Sequence, residues 1–203
     1  MAHIKELIKA DRKFVNYIVA LHERAFPSFF LTQLGQAFLR TLYLGYLEDP
    51  DSGIIMAEEN GMLVGFIAYS NDYPNFYKRL IKNHLWEFAL YSAGAAIRHP
   101  SFTKRLLNAF RKSESVEKKE KYVELASICV DPKIENKGVG TQLVDYLKSI
   151  VDFSNFEYIN LETDAENNDA ANKFYMKNGF ILTREFITSE GRKMNEYRYR
   201  SGD

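Results

Sequence analysis

Cysteine is almost absent from this chain of 203 residues, because Cys129 is the single one. An intrachain disulfide is therefore impossible, and a reducing cytoplasm is the compartment that this composition favours. A charge excess is also lacking: 27 Lys and Arg balance 27 Asp and Glu, which argues against a nucleic-acid partner. The longest uncharged apolar run, residues 88–97, would rise only about 15 Å as a helix, so no transmembrane segment is predicted.

The N-terminus argues against a secreted protein, and the histidines argue against a metalloprotein. Residues 1–6 lack the apolar stretch of a secretion signal, so a cytoplasmic location is expected. The four histidines show no ligand spacing with other metal-binding residue types, so no metal site is predicted. Cys129 lies in an apolar run without an adjacent histidine, and we interpret it as a small core residue rather than as a nucleophile.

What is present is an alternation of strand and helix patterns. Residues 4–8 predict a first strand, and two amphipathic helices follow, one from Asp11 until Pro27 and one over 32–47. Apolar runs on both sides of Asn60-Gly61 predict a β-hairpin. Toward the C-terminus the pattern predicts strands at 122–130, 158–163, 180–186 and 193–200 and helices at 138–151 and 168–178.

Residues 72–118 interrupt this order with two or three predicted helices that break at His99-Pro100. The segment is basic although the whole chain is neutral, since Asp72 and Glu87 are its only acids over 72–112. Three interpretations stay open: the basic face attracts an anionic acceptor molecule, contacts an anionic membrane surface, or is a solvated helix face. Its bases are Lys78, Arg79, Lys82, Arg98, Lys104, Arg105, Arg111 and Lys112.

The first chemical motif is an apolar strand that turns through glycines into a helix. The run Cys-Val-Asp-Pro at 129–132 leads into Glu-Asn-Lys-Gly-Val-Gly-Thr at 135–141. A helix N-terminus offers unpaired N–H groups and a fractional positive charge, which suit a phosphate. Gly138 and Gly140 allow close backbone approach, and Lys137 adds charge. Glycines before a helix also occur in ordinary loops, so the flanking strand and helix patterns are what favour a phosphate site.

A second motif supplies polar and phenolic groups. It reads Asn-Asp-Ala-Ala-Asn-Lys-Phe-Tyr at 168–175 and leads into Gly179-Phe180. Together the two motifs resemble the acetyl-coenzyme A site of the GCN5-related N-acetyltransferase (GNAT) family. The resemblance covers residues 120–186, and the N-terminal third follows the family in pattern only.

The resemblance implies that acetyl-CoA is the co-substrate and that its pyrophosphate lies in the glycine loop. It also implies that a backbone amide near 128–130 holds the thioester oxygen, although a plain core strand would explain the same apolar residues. The family usually has Gln or Arg where this chain has Glu135. A carboxylate repels a pyrophosphate, so we expect Glu135 to point away. The implied cofactor-binding residues are Ile128, Val130, Asn136, Lys137, Gly138, Val139, Gly140, Thr141, Asn168 and Ala171.

Two residues are implied as catalytic. Strand alternation predicts that Glu124 shares a face with Ala126, Ile128 and Val130, beside the thioester site. A Glu at the matching family position acts as general base, and it would remove the proton that keeps an alkylammonium from attacking. A solvated or salt-bridged Glu at the strand start is the alternative. Tyr175 resembles the family's general acid, which protonates the leaving thiolate, and core packing is the alternative there.

These observations predict a single α/β domain over 1–203, with a mixed central sheet flanked by helices and a helical insertion, 72–118, between the third and fourth strands. The predicted enzyme is an acetyl-CoA-dependent N-acetyltransferase in which a primary amine of a small molecule attacks directly; an amino sugar is one candidate. The alternatives are an N-terminal or lysine acetyltransferase of proteins and a non-catalytic acyl-CoA-binding sensor or assembly module. The oligomeric state stays open, and a homodimer is compatible with the sequence.

Overall fold

A computed structural model describes residues 2–98, 120–134, 138–189 and 191–202. Two short 3₁₀ helices, Lys9–Phe14 and Pro132–Ile134, accompany the main elements. The main elements are β1 (His3–Glu6), α1 (Val15–Ala25), α2 (Phe30–Gln33), α3 (Gln36–Glu48), β2 (Ser52–Glu59), β3 (Met62–Ser70), α4 (Tyr73–Arg98), β4 (Tyr122–Val130), α5 (Val139–Ile150), β5 (Tyr158–Asp164), α6 (Asp169–Lys177), β6 (Ile181–Ile187) and β7 (Lys193–Tyr199).

A seven-stranded sheet forms the centre of the domain, in the order β1-β2-β3-β4-β5-β7-β6. Neighbouring strands are antiparallel except β4 and β5, which run parallel. A parallel pair needs a crossover connection, and α5 lies in the one that joins β4 to β5. The predicted α/β class with a mixed sheet flanked by helices is confirmed.

The predicted hairpin between β2 and β3 is also confirmed. Glu59 pairs with Met62, so the loop consists of the two residues Asn60 and Gly61. Both have positive φ angles, 53° and 77° respectively. A two-residue type I′ turn requires this conformation, and Asn-Gly adopts it with little strain.

The N-terminal helices differ from their sequence pattern at two places. Lys9–Phe14 forms a 3₁₀ helix, in which Asp11 accepts a hydrogen bond from the N–H of Ile8 at 3.1 Å instead of capping α1. The helix predicted over 32–47 is divided into α2 and α3 at Gly35, whose φ of 93° is not helical. Apolar periodicity continues through both places, so it does not reveal these breaks.

Helices cover both faces of the sheet, and each face has its own apolar core. On one face, which we call the α1 face, α1, α3 and the first turns of α4 bury residues such as Phe38, Phe66 and Phe76. On the other, the α5 face, α5 and α6 bury residues such as Leu143 and Ile159. The two cores are separated by the sheet itself, so a ligand can reach both only through a gap between strands.

The described part of the insertion is the single helix α4, which has a kink at His84, where φ is −126° and ψ is 25°. Residues 99–118, which include the predicted break at His99-Pro100, lie outside the described residues. Within the described ranges, no helix is both long and apolar enough to cross a membrane.

Candidate active site

Strands β4 and β5 separate shortly after they begin to pair. Among the described residues the pairs are Tyr122 with Tyr158, Val123 with Ile159 and Glu124 with Asn160. Both strands continue beyond this point, β4 to Val130 and β5 to Asp164. The facing edges of these strand ends are therefore open between the two halves of the sheet.

A β-bulge in β4 lies just beyond Glu124. Ala68 of β3 pairs with Ser127 while the next residue, Tyr69, pairs with Leu125, which leaves Ala126 as an extra residue. A bulge resets the alternation of side chains along a strand.

The bulge makes the predicted shared face of Glu124, Ile128 and Val130 wrong. Ile128 and Val130 pack on the α5 face. Cys129 and Ala126 pack on the α1 face. The Glu124 carboxylate influences tyrosines of α3 and α4, which cover the α1 face. Strict period-two alternation fails here because one residue is inserted.

The backbone amides of Ile128 and Val130 point to the open edge of β4. The N–H of Asp131 donates to the carbonyl of Val64 in β3 at 2.8 Å. Donors alternate between the two edges along a strand, so the N–H groups of residues 128 and 130 point away from β3. This direction is the one that an oxyanion-binding role for these two amides requires, and that role stays a prediction.

Glu124 is buried at the apex of the opening, with 6% of its surface exposed. The Nδ2 of Asn160 donates to its Oε2 at 2.7 Å. Asn160 is the cross-strand partner of Glu124 on β5, so the sheet register itself brings the amide and the carboxylate together. The sequence reasoning missed Asn160, because parallel pairing of two distant strands leaves no local signal.

Three tyrosines lie around Glu124 on the α1 face: Tyr46 of α3 and Tyr73 and Tyr77 of α4. The hydroxyls of Tyr73 and Tyr77 are 3.1 Å apart. Burial raises the pKa of all three phenols, and the nearby charge of Glu124 contributes to the rise in each. The sequence analysis did not predict this cluster. The i, i+4 spacing of Tyr73 and Tyr77 at the start of the insertion could have indicated that these two side chains lie together on one helix face.

The glycine loop has the backbone shape that the sequence predicts at its helix end. Gly138 is the N-cap of α5 and has a φ of 76°, a left-handed conformation that favours glycine. The first intrahelical hydrogen bond runs from Gln142 N–H to the carbonyl of Gly138 at 3.0 Å. The N–H groups of residues 139–141 thus precede the helical ladder, which fits the anion site that coenzyme A needs. Asn136 and Lys137, with Glu135, lie outside the described residues.

Two residues of this loop also have packing roles. Val139 is buried in the core of the α5 face, so its backbone rather than its side chain is available to a ligand. A Cβ at Gly140 would lie 3.0 Å from Cε2 of Phe174, so this glycine permits close contact between α5 and α6. Thr141 is partly buried in the first turn of α5.

Asn168 and Ala171 lie where α6 begins, next to the open end of β5. Asn168 is the N-cap residue of α6, and its Nδ2 donates to Thr163 Oγ1 at 2.7 Å and to the Asp164 carbonyl at 3.2 Å. Ala171 packs against the core of the α5 face. The amide of Asn168 thus holds β5 and α6 together. Asn172 reinforces this junction through a 3.0 Å bond to the same Asp164 carbonyl.

Tyr175 is in the core of the α5 face, on the opposite side of the sheet from the tyrosines around Glu124. Its ring contacts those of Phe174, Phe180 and Tyr197. Burial, with a smaller contribution from Tyr197, raises the pKa of its phenol. Local fields therefore do not bring this pKa down toward that of a thiol, so proton donation by the free enzyme is harder than in water.

The described basic residues of the insertion differ in their surroundings: Arg79 is ion-paired, whereas the lysines are exposed. Arg79 contacts Asp49 at 2.5 Å, Asp51 at 3.1 Å and Asp72 at 3.1 Å. These carboxylates compensate the charge of Arg79, so its guanidinium is engaged within the chain, and the three interpretations of the basic segment stay open. Lys78 and Lys82 are exposed. The remaining predicted bases beyond residue 98 lie outside the described residues.

Cys129 has the properties of a core residue. It is 2% exposed, and burial, reinforced by the charge of Asp131, raises the pKa of its thiol to about 12. A thiol that keeps its proton is a poor nucleophile. In the parts of the chain that the structure describes, no group of three or more His, Cys, Asp and Glu could hold a metal ion.

Comparison with known proteins identifies the family and supports the fold. The acetyltransferase (GNAT) family model matches residues 15–180. No curated protein matches the sequence. The solved N-acetyltransferase of Staphylococcus aureus Mu50 is 18% identical, with a TM-score of 0.62 and 98% of each chain covered. The PaiA N-acetyltransferase of Thermoplasma acidophilum, solved with coenzyme A, is 13% identical, with a TM-score of 0.56 and 98% of this chain and 99% of that chain covered.

Acceptors differ among similar structures. The ribosomal-protein alanine N-acetyltransferase of Escherichia coli is 16% identical, with a TM-score of 0.56 and coverage of 98% of this chain and 94% of that one. At such identities the structural likeness shows the fold alone, whereas the family match spans most of the sequence. The chain belongs to the GNAT family and is an acetyl-CoA-dependent N-acetyltransferase.

Proposed function

We propose that the enzyme acetylates a primary amine of a small molecule by direct attack on the thioester, an amino sugar being one candidate acceptor. The observation that carries this proposal is the position of Glu124, a buried carboxylate at the point where β4 and β5 separate. A ligand that enters this opening lies between the carboxylate on one face and the glycine loop at the end of β4.

A residue of this chain can be assigned to each step of the acetyl transfer. The thioester of acetyl-CoA supplies the acyl carbon at which the amine forms its new C–N bond, and the C–S bond breaks. Glu124 removes a proton from the acceptor ammonium, directly or through a water, because the protonated amine has no lone pair for attack. The amides of Ile128 and Val130 donate hydrogen bonds to the thioester oxygen. Tyr175 donates a proton to the departing thiolate, and the second proton, which the nitrogen of the tetrahedral intermediate loses as the C–S bond breaks, restores the phenol directly or through a water.

Two observations support this proposal: the surroundings of Glu124 favour a small acceptor, and the burial of Cys129 favours direct attack. Tyr73 and Tyr77 come from the insertion helix α4, and together with Tyr46 they lie near Glu124 on the α1 face. A protein chain would need an open groove at this place. The protonated, buried thiol of Cys129 argues against an acyl-enzyme.

The substitution Glu124→Gln tests the role of the carboxylate. We expect turnover, measured as thiol release with a panel of benzylamine, tyramine, spermidine and glucosamine, to fall roughly 10²-fold. The acid limb of the pH–rate profile should disappear, while the affinity for acetyl-CoA by calorimetry stays unchanged. Glu58→Gln is the matched control, since Glu58 lies on β2 and contacts Lys5 at 3.9 Å.

Other outcomes would replace this proposal. Turnover of Glu124→Gln within about twofold of the parent would remove Glu124 as the base. Faster thiol release with peptides than with every small amine would favour a protein acceptor. Tight acetyl-CoA binding without thiol release on any amine or peptide would favour an acyl-CoA-binding module.

A further inference from the structure

Asn160 has one polar atom that the described structure leaves unsatisfied. The residue is 1% exposed on β5, and its Nδ2 donates to Glu124 Oε2 at 2.7 Å. Its Oδ1 is buried and has no hydrogen-bond partner among the described residues. A buried carbonyl without a donor costs free energy, so such an atom calls for an explanation by a ligand or a strain.

The orientation of this amide is determined by its neighbour. A general base must be ionised before it acts, and an ionised carboxylate only accepts hydrogen bonds. If the side chain of Asn160 were rotated by 180°, its oxygen would face this carboxylate, and two acceptors would repel each other at hydrogen-bond distance. The amino group therefore faces Glu124, and Oδ1 is directed away from that oxygen. Asn160 is also on the last paired position before β4 and β5 separate, so the opening begins beside it.

We propose that Asn160 bridges the general base and the acceptor, with Nδ2 orienting Glu124 and Oδ1 accepting an N–H of the acceptor amine. This inference rests on the proposed function and deepens it. A primary ammonium has three N–H groups; after one proton passes to Glu124, the amine still has a hydrogen for Asn160. That bond directs the lone pair of the nitrogen, so Asn160 acts both as a positioning residue for Glu124 and as an acceptor-binding residue.

The pH dependence of the reaction is a suitable readout because Asn160 donates to the titrating group. A donor to a carboxylate stabilises its charged form, so loss of the donor raises the carboxyl pKa. Among the described residues, the titratable groups near Glu124 include Tyr46 from α3, Tyr73 and Tyr77 from α4 and Tyr122 from β4. Glu162 of β5 and Glu196 of β7 lie near Tyr122, and Arg198 of β7 is the cross-strand partner of Asn160 and contacts Glu196 at 2.9 Å. None of these changes in an Asn160 variant.

The experiment compares Asn160→Leu with Asn195→Leu. Asn195 is a matched control: it is a buried amide on β7 with an unpartnered Oδ1, and its Nδ2 donates to Asn172 at 2.9 Å. The acceptor is whichever of benzylamine, tyramine, spermidine and glucosamine the parent acetylates fastest. For Asn160→Leu we expect the acid limb of kcat/KM to move up by about one pH unit and the acceptor KM to rise roughly tenfold, with an unchanged acetyl-CoA KM. Asn195→Leu should change none of these.

The results separate this inference from the proposed function. If Glu124→Gln is inactive but folded Asn160→Leu keeps the parent acid limb and acceptor KM, the role of Asn160 is refuted and that of Glu124 stands. If Glu124→Gln is active, Glu124 is not the base, and the role of Asn160 in orienting that base is refuted with it. Should Asn160→Leu fail to fold, Asn160→Asp keeps the shape and places two carboxylates together, which must shift the acid limb further upward. An unshifted limb in this variant would equally refute the inference.

Discussion

Tyr175 lies in surroundings that hold its proton. Burial raises the pKa of the phenol, so it stays protonated through neutral pH and can act only as a donor. Tyr175→Phe keeps the contacts with Phe180 and Tyr197 and removes the hydroxyl. We expect thiol release to slow roughly 10-fold to 10²-fold in stopped-flow assays, with little change in the unfolding temperature.

The control for Tyr175 is its neighbour in the same core. Tyr197→Phe also removes one hydroxyl, which donates to Asn172 at 2.9 Å and has no role in the proposed reaction. Turnover of this variant should remain near that of the parent. Full activity of Tyr175→Phe would leave Tyr175 with a packing role alone.

At the scale of elements, the start of α5 depends on the left-handed conformation of Gly138. Among the described residues, a Cβ there would meet only Gln142 Nε2, at 4.0 Å, so the strain that the structure shows comes from the φ of 76°. We expect Gly138→Ala to lower the free energy of unfolding by about 1 kcal/mol and to weaken coenzyme A binding. Urea unfolding and calorimetry measure the two effects.

Gly138→Asn provides the comparison, because asparagine tolerates this conformation better than alanine does. It should be more stable than Gly138→Ala and should bind coenzyme A more tightly. Equal stability of the alanine variant and the parent would show that the loop does not need the left-handed backbone.

Arg79 adds an ion-pair network to the apolar packing that attaches α4 to the domain. Arg79 contacts three carboxylates, and the Asp49 side chain among them is only 4% exposed. Arg79→Gln leaves that carboxylate without its guanidinium, so we expect the free energy of unfolding to fall by about 2 kcal/mol in urea titrations. Lys78→Gln, at the exposed neighbouring position, should leave stability unchanged. Equal effects of the two substitutions would contradict this assignment.

At the scale of the whole molecule, His22 links stability to pH. It is 2% exposed, its Nδ1 is 2.7 Å from the Tyr43 hydroxyl, and burial lowers its pKa to about 4. The unfolded chain takes up a proton near pH 6.5, whereas the folded chain resists it until about pH 4. Stability from this residue is therefore complete above pH 6.5 and is lost as the pH falls toward 4, by about 3 kcal/mol in total.

Thermal unfolding between pH 7 and pH 4 measures this effect. His22→Gln has no titrating group at this site, so its unfolding free energy should fall less steeply with acid than that of the parent. His3→Gln, at an exposed position of β1, is the control and should keep the parent slope. Parallel slopes for His22→Gln and the parent would mean that the buried imidazole does not oppose protonation.

The sequence by itself determined the features that depend on neighbours along the chain. Asn60-Gly61 predicts its turn because two positive φ angles suit these residue types. Gly138 before an amphipathic run predicts a helix start with free N–H groups. The order of strands and helices follows from apolar periodicity, which local residues generate.

Only the tertiary structure decided what depends on distant pairing. The bulge at Ala126 results from the register between β3 and β4, so alternation alone wrongly placed Glu124 on the same face as Ile128 and Val130. The contact of Asn160 with Glu124 exists because β4 and β5 pair in parallel across a crossover. Arg79 is neutralised by carboxylates of the α3–β2 connection and of the turn before α4. A one-dimensional pattern records which residues are present, but packing in three dimensions selects which of them meet.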